Sequence, residues 1–310
     1  MTQMREITSG LRFPEGPVAM NDGSVLVVEV ARGTLTRVRP NGAKEVVAET
    51  GGGPNGAAIG PDGKVYICNN GGLRLTPDGT PIEGLPDGYS GGCIQRVDLA
   101  TGKVEVVYTE CDGHRLRGPN DLVFDASGGF WFTDFGKVQE RQKDRTAIYY
   151  AKPDGSLIKE MIFPIDGPNG VGLAPGDTRL YAAQTFEGRV WQWDLPRPGE
   201  IARVAGQGGA LLAGPGGGKL LAGLPGYQLL DSMAVDSAGN VCVATLINGG
   251  ITIIPPDGES AEFIPTGDPL TTNICFGGPD LRTAYITLTG SGKLVAMEWP
   301  RPGLKLHYTC

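Results

Sequence analysis

A short pattern of polar and apolar residues recurs six times along the chain. Each copy starts with a polar residue, continues through small and apolar residues to a Gly or Asp turn, and runs into a second apolar stretch. The copies begin at Glu15, Asn55, Asn120, Asn169, Asp231 and Thr272. Eight residues further on stand Gly23, Gly63, Gly128, Asp177, Gly239 and Asp280, so the register holds without gaps. Each copy is therefore predicted to form a β-hairpin with a tight turn.

A third strand is predicted after every hairpin, and most third strands are followed by a Gly-containing turn and a fourth strand. The predicted third strands are Thr34–Arg39, Cys93–Asp98, Ala147–Ala151, Arg189–Asp194, Gly250–Ile254 and Lys293–Glu298. Four antiparallel strands that repeat at irregular intervals are typical of β-propeller blades with loops of variable length. The pattern therefore predicts an all-β, six-bladed β-propeller in which residues 1–310 form a single domain.

The last blade has only three predicted strands, which end near Pro300. We expect the N-terminal segment from Arg5 to Thr8 to supply its outer strand and so close the ring without an exposed sheet edge. Two alternatives fit less well. A β-sandwich of two sheets would not account for the sixfold register, and a doubly wound α/β fold would need helical periods that the chain lacks. The 50 Gly and 24 Pro residues agree with a fold that contains many turns.

The register also predicts a metal site. In a propeller the innermost strands line the axis, so the residues that begin them meet at one end of the channel. Here six oxygen-bearing side chains would converge, and Glu15 and Asp231 would repel each other unless a cation or a shared proton intervened. Oxygen donors favour a hard divalent ion such as Ca²⁺, Mg²⁺ or Mn²⁺. Capping of strand ends by Asn or Asp would explain any one of these residues, but six in register less well.

The second strands end at the same face as the first strands begin, because a hairpin brings its two ends together. Their last residues include Glu29, Asn69, Asp134 and Gln184. These side chains are expected either to support the site or to face solvent.

Charge and cysteine usage exclude several classes of function. The net charge is −7 and the Lys and Arg residues are scattered, so no nucleic-acid partner is expected. No stretch reaches the roughly 20 apolar residues of a membrane span, and the first ten residues lack a secretion signal, so we expect a cytoplasmic protein without membrane contact. The six cysteines lack C-x-x-C spacing and are expected to be buried or half-buried thiols. A closed ring favours a monomer or weak dimer.

Two short motifs match functional patterns without the required context. Gly88–Gly92 fits the G-x-S-x-G pattern of a serine nucleophile, but no strand precedes it, no helix follows it, and the chain has only two His residues. Gly51–Gly56 fits the G-x-G-x-x-G pattern, but Pro54 and the β-like run after it leave no helix N-terminus for a pyrophosphate. Neither motif is taken as a site.

Two Gly-rich stretches interrupt the repeat. The stretch from Gly71 to Gly92 is an insertion in blade two. The run from Gly206 to Gly218 is interpreted as a surface connection between blades four and five, and it could also act as a flap over the pocket.

Four segments of the chain carry a family resemblance, and they occur in order over essentially its full length. They are Phe13-Pro14-Glu15-Gly16-Pro17, Gly118-Pro119-Asn120-Asp121, Gly167-Pro168-Asn169-Gly170 and Leu230-Asp231-Ser232. These segments resemble the signatures of the SMP-30/gluconolactonase/luciferin-regenerating-enzyme family, and the run from Gly118 to Gly136 is especially similar to its bacterial lactonase branch. The resemblance implies a metal held by Glu15, Asn169 and Asp231. It also implies that Asn120 touches the substrate or water on the metal, and that Ser232 adds a ligand or a hydrogen bond.

The function implied is a metal-dependent hydrolase that opens a small-molecule lactone. Asp231 is expected to act as a ligand and general base, and Asn120 as a donor to the substrate or the developing oxyanion. One divalent cation is expected, with Ca²⁺ favoured and Mg²⁺, Mn²⁺, Zn²⁺ or Fe²⁺ as alternatives. Three other functions stay open: a non-catalytic metal-binding or interaction propeller, a propeller phosphotriesterase that shares the metal site, and a strictosidine-synthase-like condensation, for which the chain shows no catalytic acid.

Overall fold

The computed structural model describes residues 4–76, 80–202 and 214–309. Its strands form six four-stranded antiparallel sheets, which are the blades of a β-propeller. The N-terminal strand is β1 (Arg5–Thr8). Blade one consists of β2 (Pro14–Ala19), β3 (Val25–Glu29), β4 (Thr34–Val38) and β5 (Lys44–Glu49), and blade two of β6 (Pro54–Ile59), β7 (Val65–Asn69), β8 (Cys93–Val97) and β9 (Val104–Tyr108).

Blade three is preceded by a short hairpin and contains another. The first hairpin is β10 (Glu110–Cys111) with β11 (His114–Arg115). The blade itself is β12 (Pro119–Phe124), β13 (Phe130–Asp134), β16 (Thr146–Ala151) and β17 (Ile158–Ile165), and the second hairpin, β14 (Val138–Gln139) with β15 (Gln142–Lys143), lies between β13 and β16.

The remaining three blades follow in chain order. Blade four is β18 (Pro168–Leu173), β19 (Arg179–Gln184), β20 (Arg189–Asp194) and β21 (Lys219–Gly223), and blade five is β22 (Leu229–Val235), β23 (Val241–Leu246), β24 (Gly250–Ile254) and β25 (Glu262–Pro265). Blade six is β26 (Thr271–Gly277), β27 (Thr283–Leu288) and β28 (Lys293–Glu298), completed by β1. Within the described ranges the only helical pieces are two 3₁₀ turns, Pro175–Asp177 and Pro215–Gly217, so no helix there is long and apolar enough to cross a bilayer.

The predicted closure of the ring is confirmed. Strand β1 pairs antiparallel with β28, with Arg5 opposite Ala296 and Thr8 opposite Leu294. The chain therefore fastens its last blade with its own N-terminal strand. The predicted third strands agree with β4, β8, β16, β20, β24 and β28 to within one residue at either end.

The core lies between adjacent blades. The second strand of each blade reads as a nearly continuous apolar run because both of its faces are covered, as in the fully buried strands β7 and β13. Between blades two and three, the rings of Tyr66 and Phe124 meet edge to face with their centroids 5.1 Å apart. The five described cysteines are free thiols that are buried or half-buried, as expected, and Cys310 lies outside the described residues.

Of the two predictions made for the Gly-rich stretches, one is confirmed and one is wrong. The insertion from Gly71 to Gly92 does connect β7 to β8 of blade two. The assignment of Gly206–Gly218 to a connection between blades four and five is wrong, because β21 pairs with β20 as the fourth strand of blade four. In the chain, the run therefore falls between the third and fourth strands of blade four. Its proposed role as a flap falls mainly on residues 203–213, which lie outside the described residues.

Candidate functional site

Each inner strand is irregular at the residue where the repeat begins. The pairing of β2 with β3 shifts by one residue between Glu15 and Val18, and the pairing of β12 with β13 shifts between Pro119 and Leu122. A corresponding shift is present in the other four blades. A bulge redirects the side chains beside it and commonly occurs near functional sites. Here it allows residues at the strand starts to turn from the core between the blades toward one another.

The residue after each repeat start is either glycine or polar. In blade order these residues are Gly16, Gly56, Asp121, Gly170, Ser232 and Asn273, and we call them the second ring. A Cβ atom on Gly56 would lie 2.6 Å from the Asn120 carbonyl oxygen, and one on Gly170 would lie 2.7 Å from the Met233 nitrogen. The glycines therefore let neighbouring inner strands touch backbone to backbone, and the other three blades place polar side chains at the same level.

Three buried carboxylates interact near the axis, and we call them the axial carboxylates: Glu15, Asp121 and Asp231, which are 1%, 7% and 8% exposed. Burial raises the pKa of Asp231 to about 7 and that of Asp121 to about 7. Burial, followed by repulsion from Asp231, raises the pKa of Glu15 well above its usual value. In the part of the chain that the structure describes, none of the three forms an ion pair with a basic side chain.

Hydrogen bonds link the predicted ligand residues to their neighbours. Asn169 donates from Nδ2 to the Thr185 hydroxyl at 3.2 Å, and its Oδ1 accepts from the Ser232 hydroxyl at 3.5 Å. Hydrogen bonding from Asn169 also acts to lower the pKa of Asp231, against the larger effect of burial. The structure thus brings Asn169, Asp231 and Ser232 together, on β18 and β22.

Blade six contributes a different residue from the one expected. Thr272 is the unpaired residue of its bulge, and its hydroxyl donates to the Pro14 carbonyl at 3.2 Å, so it joins blade six to the backbone of blade one. The next residue, Asn273, donates from Nδ2 to Glu15 Oε2 at 2.9 Å. The expectation that six residues in register form one ring is therefore wrong at Thr272. Asn273 and Asp121 were missed, although their position directly after a repeat start was readable in the sequence.

Two amide side chains of the same register have no partner for their oxygen atoms. Asn55 and Asn120 are 7% and 6% exposed, and the Oδ1 atom of each is buried without a hydrogen bond among the described residues. An unpaired buried acceptor is costly, so such atoms call for an explanation, and a bound ligand is one. These two residues belong to the adjacent blades two and three.

The polar ends of the second strands hold the loops that lead into the inner strands. Asp134 accepts hydrogen bonds from the backbone amides of Arg117 and Gly118 at 2.6 Å each, just before Asn120. Glu29 binds the Arg12 amide at 2.8 Å in the same way. Asp134 and Glu29 therefore do not face solvent, and they fix the backbone a few residues before the site.

Asn69 fixes the backbone before its inner strand in the same way, whereas Gln184 bonds a side chain of its own blade. Asn69 Oδ1 accepts from the Gly53 amide at 2.9 Å, two residues before Asn55. Gln184 accepts from the indole nitrogen of Trp191 at 2.9 Å. Both side chains are buried, so they do not face solvent.

The blade-two insertion forms a wall against blade three. Lys137 is only 6% exposed, and its ammonium group donates to the Gly72 carbonyl at 2.7 Å and lies 5.2 Å from the centre of the Tyr89 ring. Arg117 approaches the same ring at 5.5 Å, and the Tyr89 hydroxyl donates to the Arg117 carbonyl. Burial lowers the pKa of Lys137 to about 8. These contacts anchor the insertion on the side of the ring that carries Asn55 and Asn120.

The opposite end of the axis is closed by the C-terminal segment. Leu304 donates its backbone amide to the Val235 carbonyl at 2.9 Å, His307 pairs with Asp177 at 2.8 Å, and Tyr308 packs against Phe124. An axial cavity of about 120 Å³ remains between this segment and the second ring, with mainly apolar walls. Asp121 and Asn273 of the second ring line this cavity.

The donor set is compatible with a hard cation. Within the described ranges no three His, Cys, Asp or Glu side chains converge as metal ligands would. The predicted ligands Glu15, Asn169 and Asp231 include only two residues of these types, because the third ligand is the amide oxygen of Asn169. Oxygen donors, buried carboxylates with raised pKa and no basic partner all favour a bound cation over an apolar or anionic ligand.

Together the fold and the axial carboxylates define a six-bladed β-propeller with a buried acidic site at one end of its axis. The chain belongs to the SMP-30/Gluconolactonase/LRE-like family, which matches residues 13–290. It is 29% identical to a gluconolactonase from Zymomonas mobilis over 89% of this chain and 76% of that protein. It is 24% identical to the lactonase drp35 from Staphylococcus epidermidis over 77% of this chain, and the match spans 65% of that lactonase.

Solved structures agree with the fold. The calcium-binding protein regucalcin from Agrobacterium tumefaciens superposes with a TM-score of 0.73 at 18% identity, covering 98% of each chain. At this identity the likeness establishes the propeller architecture.

Proposed function

We propose that this protein is a hydrolase that opens a small-molecule lactone with the help of one divalent cation at Glu15, Asn169 and Asp231. The observation that carries the proposal is the buried acidic site in a chain that shares 29% identity with a gluconolactonase. Opening a lactone requires attack of water on the ester carbonyl, cleavage of the ring C–O bond and protonation of the departing ring oxygen. The product is a hydroxy acid.

The three proposed ligands offer two carboxylates and one amide oxygen. Such a set suits Ca²⁺ first, and Mg²⁺, Mn²⁺, Zn²⁺ or Fe²⁺ are the alternatives. When bound, the cation would supply Lewis-acid polarisation of the ester carbonyl and favour ionisation of water. Asn273 and Ser232 would hold Glu15 and Asn169 in place through the hydrogen bonds described above.

Proton transfer is assigned to Asp231. With one carboxylate oxygen on the cation, the other would be free to take a proton from the attacking water and return it to the ring oxygen. Asn120 would donate from its amide nitrogen to the oxygen that gains charge during the attack. The buried position of both residues limits competing bulk water and strengthens these interactions.

The test is a hydrolysis assay on aldonolactones and aromatic lactones with a pH indicator. Activity should disappear after EDTA treatment and return with one of the five cations. Asp231→Ala should lower kcat/KM by about 1,000-fold or more because it removes both a ligand and the base. Asp257→Ala, at an exposed turn of the same blade, is the matched control and should retain activity. Full activity of Asp231→Ala would contradict the assignment, and metal binding without turnover of any lactone would favour a non-catalytic propeller.

A further inference from the structure

Asn55 and Asn120 differ from the other buried asparagines of the described chain. Every other buried asparagine in the described ranges forms at least one side-chain hydrogen bond, through its amide oxygen or its amide nitrogen. These residues are Asn69, Asn70, Asn169, Asn240 and Asn273. Only Asn55 and Asn120 keep a buried Oδ1 atom without a partner among the described side chains. A folded protein gains nothing from burying an acceptor in this way.

Contacts on both sides of Asn55 fix the backbone at the start of its strand. Asn69 binds the Gly53 amide at 2.9 Å, the ring of Pro54 fixes its own φ angle directly before Asn55, and Gly56 contacts the backbone of blade three. Asn55 occupies the same register position as Glu15, Asn169 and Asp231, which interact with one another and with their second-ring neighbours. Asn55 therefore begins its inner strand at the same end of the axis as Glu15, Asn169 and Asp231, on the blade next to that of Asn120.

We propose that Asn55 is a substrate-contacting residue that selects lactones bearing a ring hydroxyl group; this inference rests on the function proposed above. A carbonyl oxygen can only accept a hydrogen bond, so its partner must be a donor. The carbonyl and ring oxygens of a lactone are both acceptors, and a hydroxyl substituent is the donor that the substrate can offer. The Asn55 oxygen thus recognises the substituent, whereas Asp231 and the amide nitrogen of Asn120 act on the ester group.

Two lactones with the same six-membered ester ring test this inference. D-Glucono-δ-lactone carries hydroxyl groups on the ring, and δ-valerolactone carries none. Asn55→Leu removes the acceptor with little change in side-chain size. It should lower kcat/KM for the gluconolactone by about 10- to 100-fold, and for valerolactone by less than about 3-fold. Asn41→Leu, at an exposed turn of blade one, controls for the substitution itself.

Two further readouts separate substrate recognition from a structural role. Asn55 Oδ1 has no hydrogen bond to lose, so Asn55→Leu should melt at or above the temperature of the unaltered protein. Binding of D-gluconate, measured by calorimetry, should weaken by a factor similar to that for kcat/KM, and this readout requires no turnover.

The outcomes are distinct. Equal losses on both lactones, an unchanged rate on gluconolactone, or a loss that accompanies a lower melting temperature would each overturn the role of Asn55. Failure of the unaltered protein to hydrolyse any lactone would instead overturn the proposed function, and the inference with it.

Discussion

The two sides of the axial site use one register position in different ways. On blades one, four and five the residues Glu15, Asn169 and Asp231 interact with each other or with neighbouring side chains, and Asn273 of blade six extends this connected side. On blades two and three, Asn55 and Asn120 leave buried oxygen atoms without partners. Equivalent positions in a repeat fold can therefore differ in their hydrogen bonding because of their neighbours. In the proposed function, the connected side would hold the cation and the other side would contact the substrate.

The difference has a local cause. Ser232 and Asn273 of the second ring reach the residues of the connected side, at Asn169 and Glu15. Both hydrogen bonds come from the second-ring residue of an adjacent blade. The blades next to Asn55 carry Gly16 and Asp121 at this position: Gly16 has no side chain to bond the amide, and the described residues show no hydrogen bond from Asp121 to Asn55. The blade-two insertion covers the same side and is anchored through Lys137 and Tyr89.

The largest expected effect concerns the charge of the axial carboxylates. Burial raises the folded-state pKa of Asp121 and Asp231 to about 7, against an unfolded value of about 4. Their contribution to stability is therefore fully present below pH 4 and is lost as pH rises through 7. Metal-free protein should lose unfolding free energy on the order of 4 kcal/mol between pH 5 and pH 7.5, measured by urea denaturation. Added Ca²⁺ should stabilise the protein more at pH 7.5 than at pH 5.

Asp121→Asn provides the control, because it removes one titrating carboxyl while other groups continue to titrate. The variant should show a smaller decline than the unaltered protein over the same pH range. A stability that rises equally with pH in both proteins would contradict an uncompensated acidic cluster.

The next largest effect is expected at Asp134, which holds the loop before Asn120. Asp134→Ala would leave the amides of Arg117, Gly118 and Gly136 without their acceptor. The unfolding free energy should fall by about 3 kcal/mol, measured by urea denaturation, and lactone hydrolysis should fall because Asn120 follows this loop. Asp154→Ala, at an exposed turn of the same blade, should unfold at the same urea concentration as the unaltered protein. Equal stability of both variants would contradict the supporting role of Asp134.

The smallest effect separates the two sides directly. Asn169→Ala should weaken Ca²⁺ binding by about 10- to 100-fold in calorimetry, because it removes a proposed ligand and its links to Thr185 and Ser232. Asn120→Ala should leave Ca²⁺ affinity within about 2-fold while kcat/KM falls by about 10-fold or more. Equal losses of Ca²⁺ affinity in the two variants would remove the distinction between the sides.

Most of the architecture could be read from the sequence because a propeller repeats one hairpin in a fixed register. The strand starts, the closing strand Arg5–Thr8 and the position of the insertion were all predicted from local pattern and turn residues. The run Gly206–Gly218 was placed wrongly because β21 has a weak strand pattern, and only its pairing with β20 assigns it to blade four.

By itself, the sequence determined which positions begin the inner strands, since alternation and turns are local properties of the chain. Only the tertiary structure decided which of these side chains meet. Asn273 reaches Glu15 across 258 residues, Thr272 turns to the Pro14 backbone, and Lys137 is buried under an insertion from another blade. Such contacts depend on bulges and on the packing of neighbouring blades, so hydrogen bonding and burial, and with them the pKa of each carboxyl, appear only when the ring is closed.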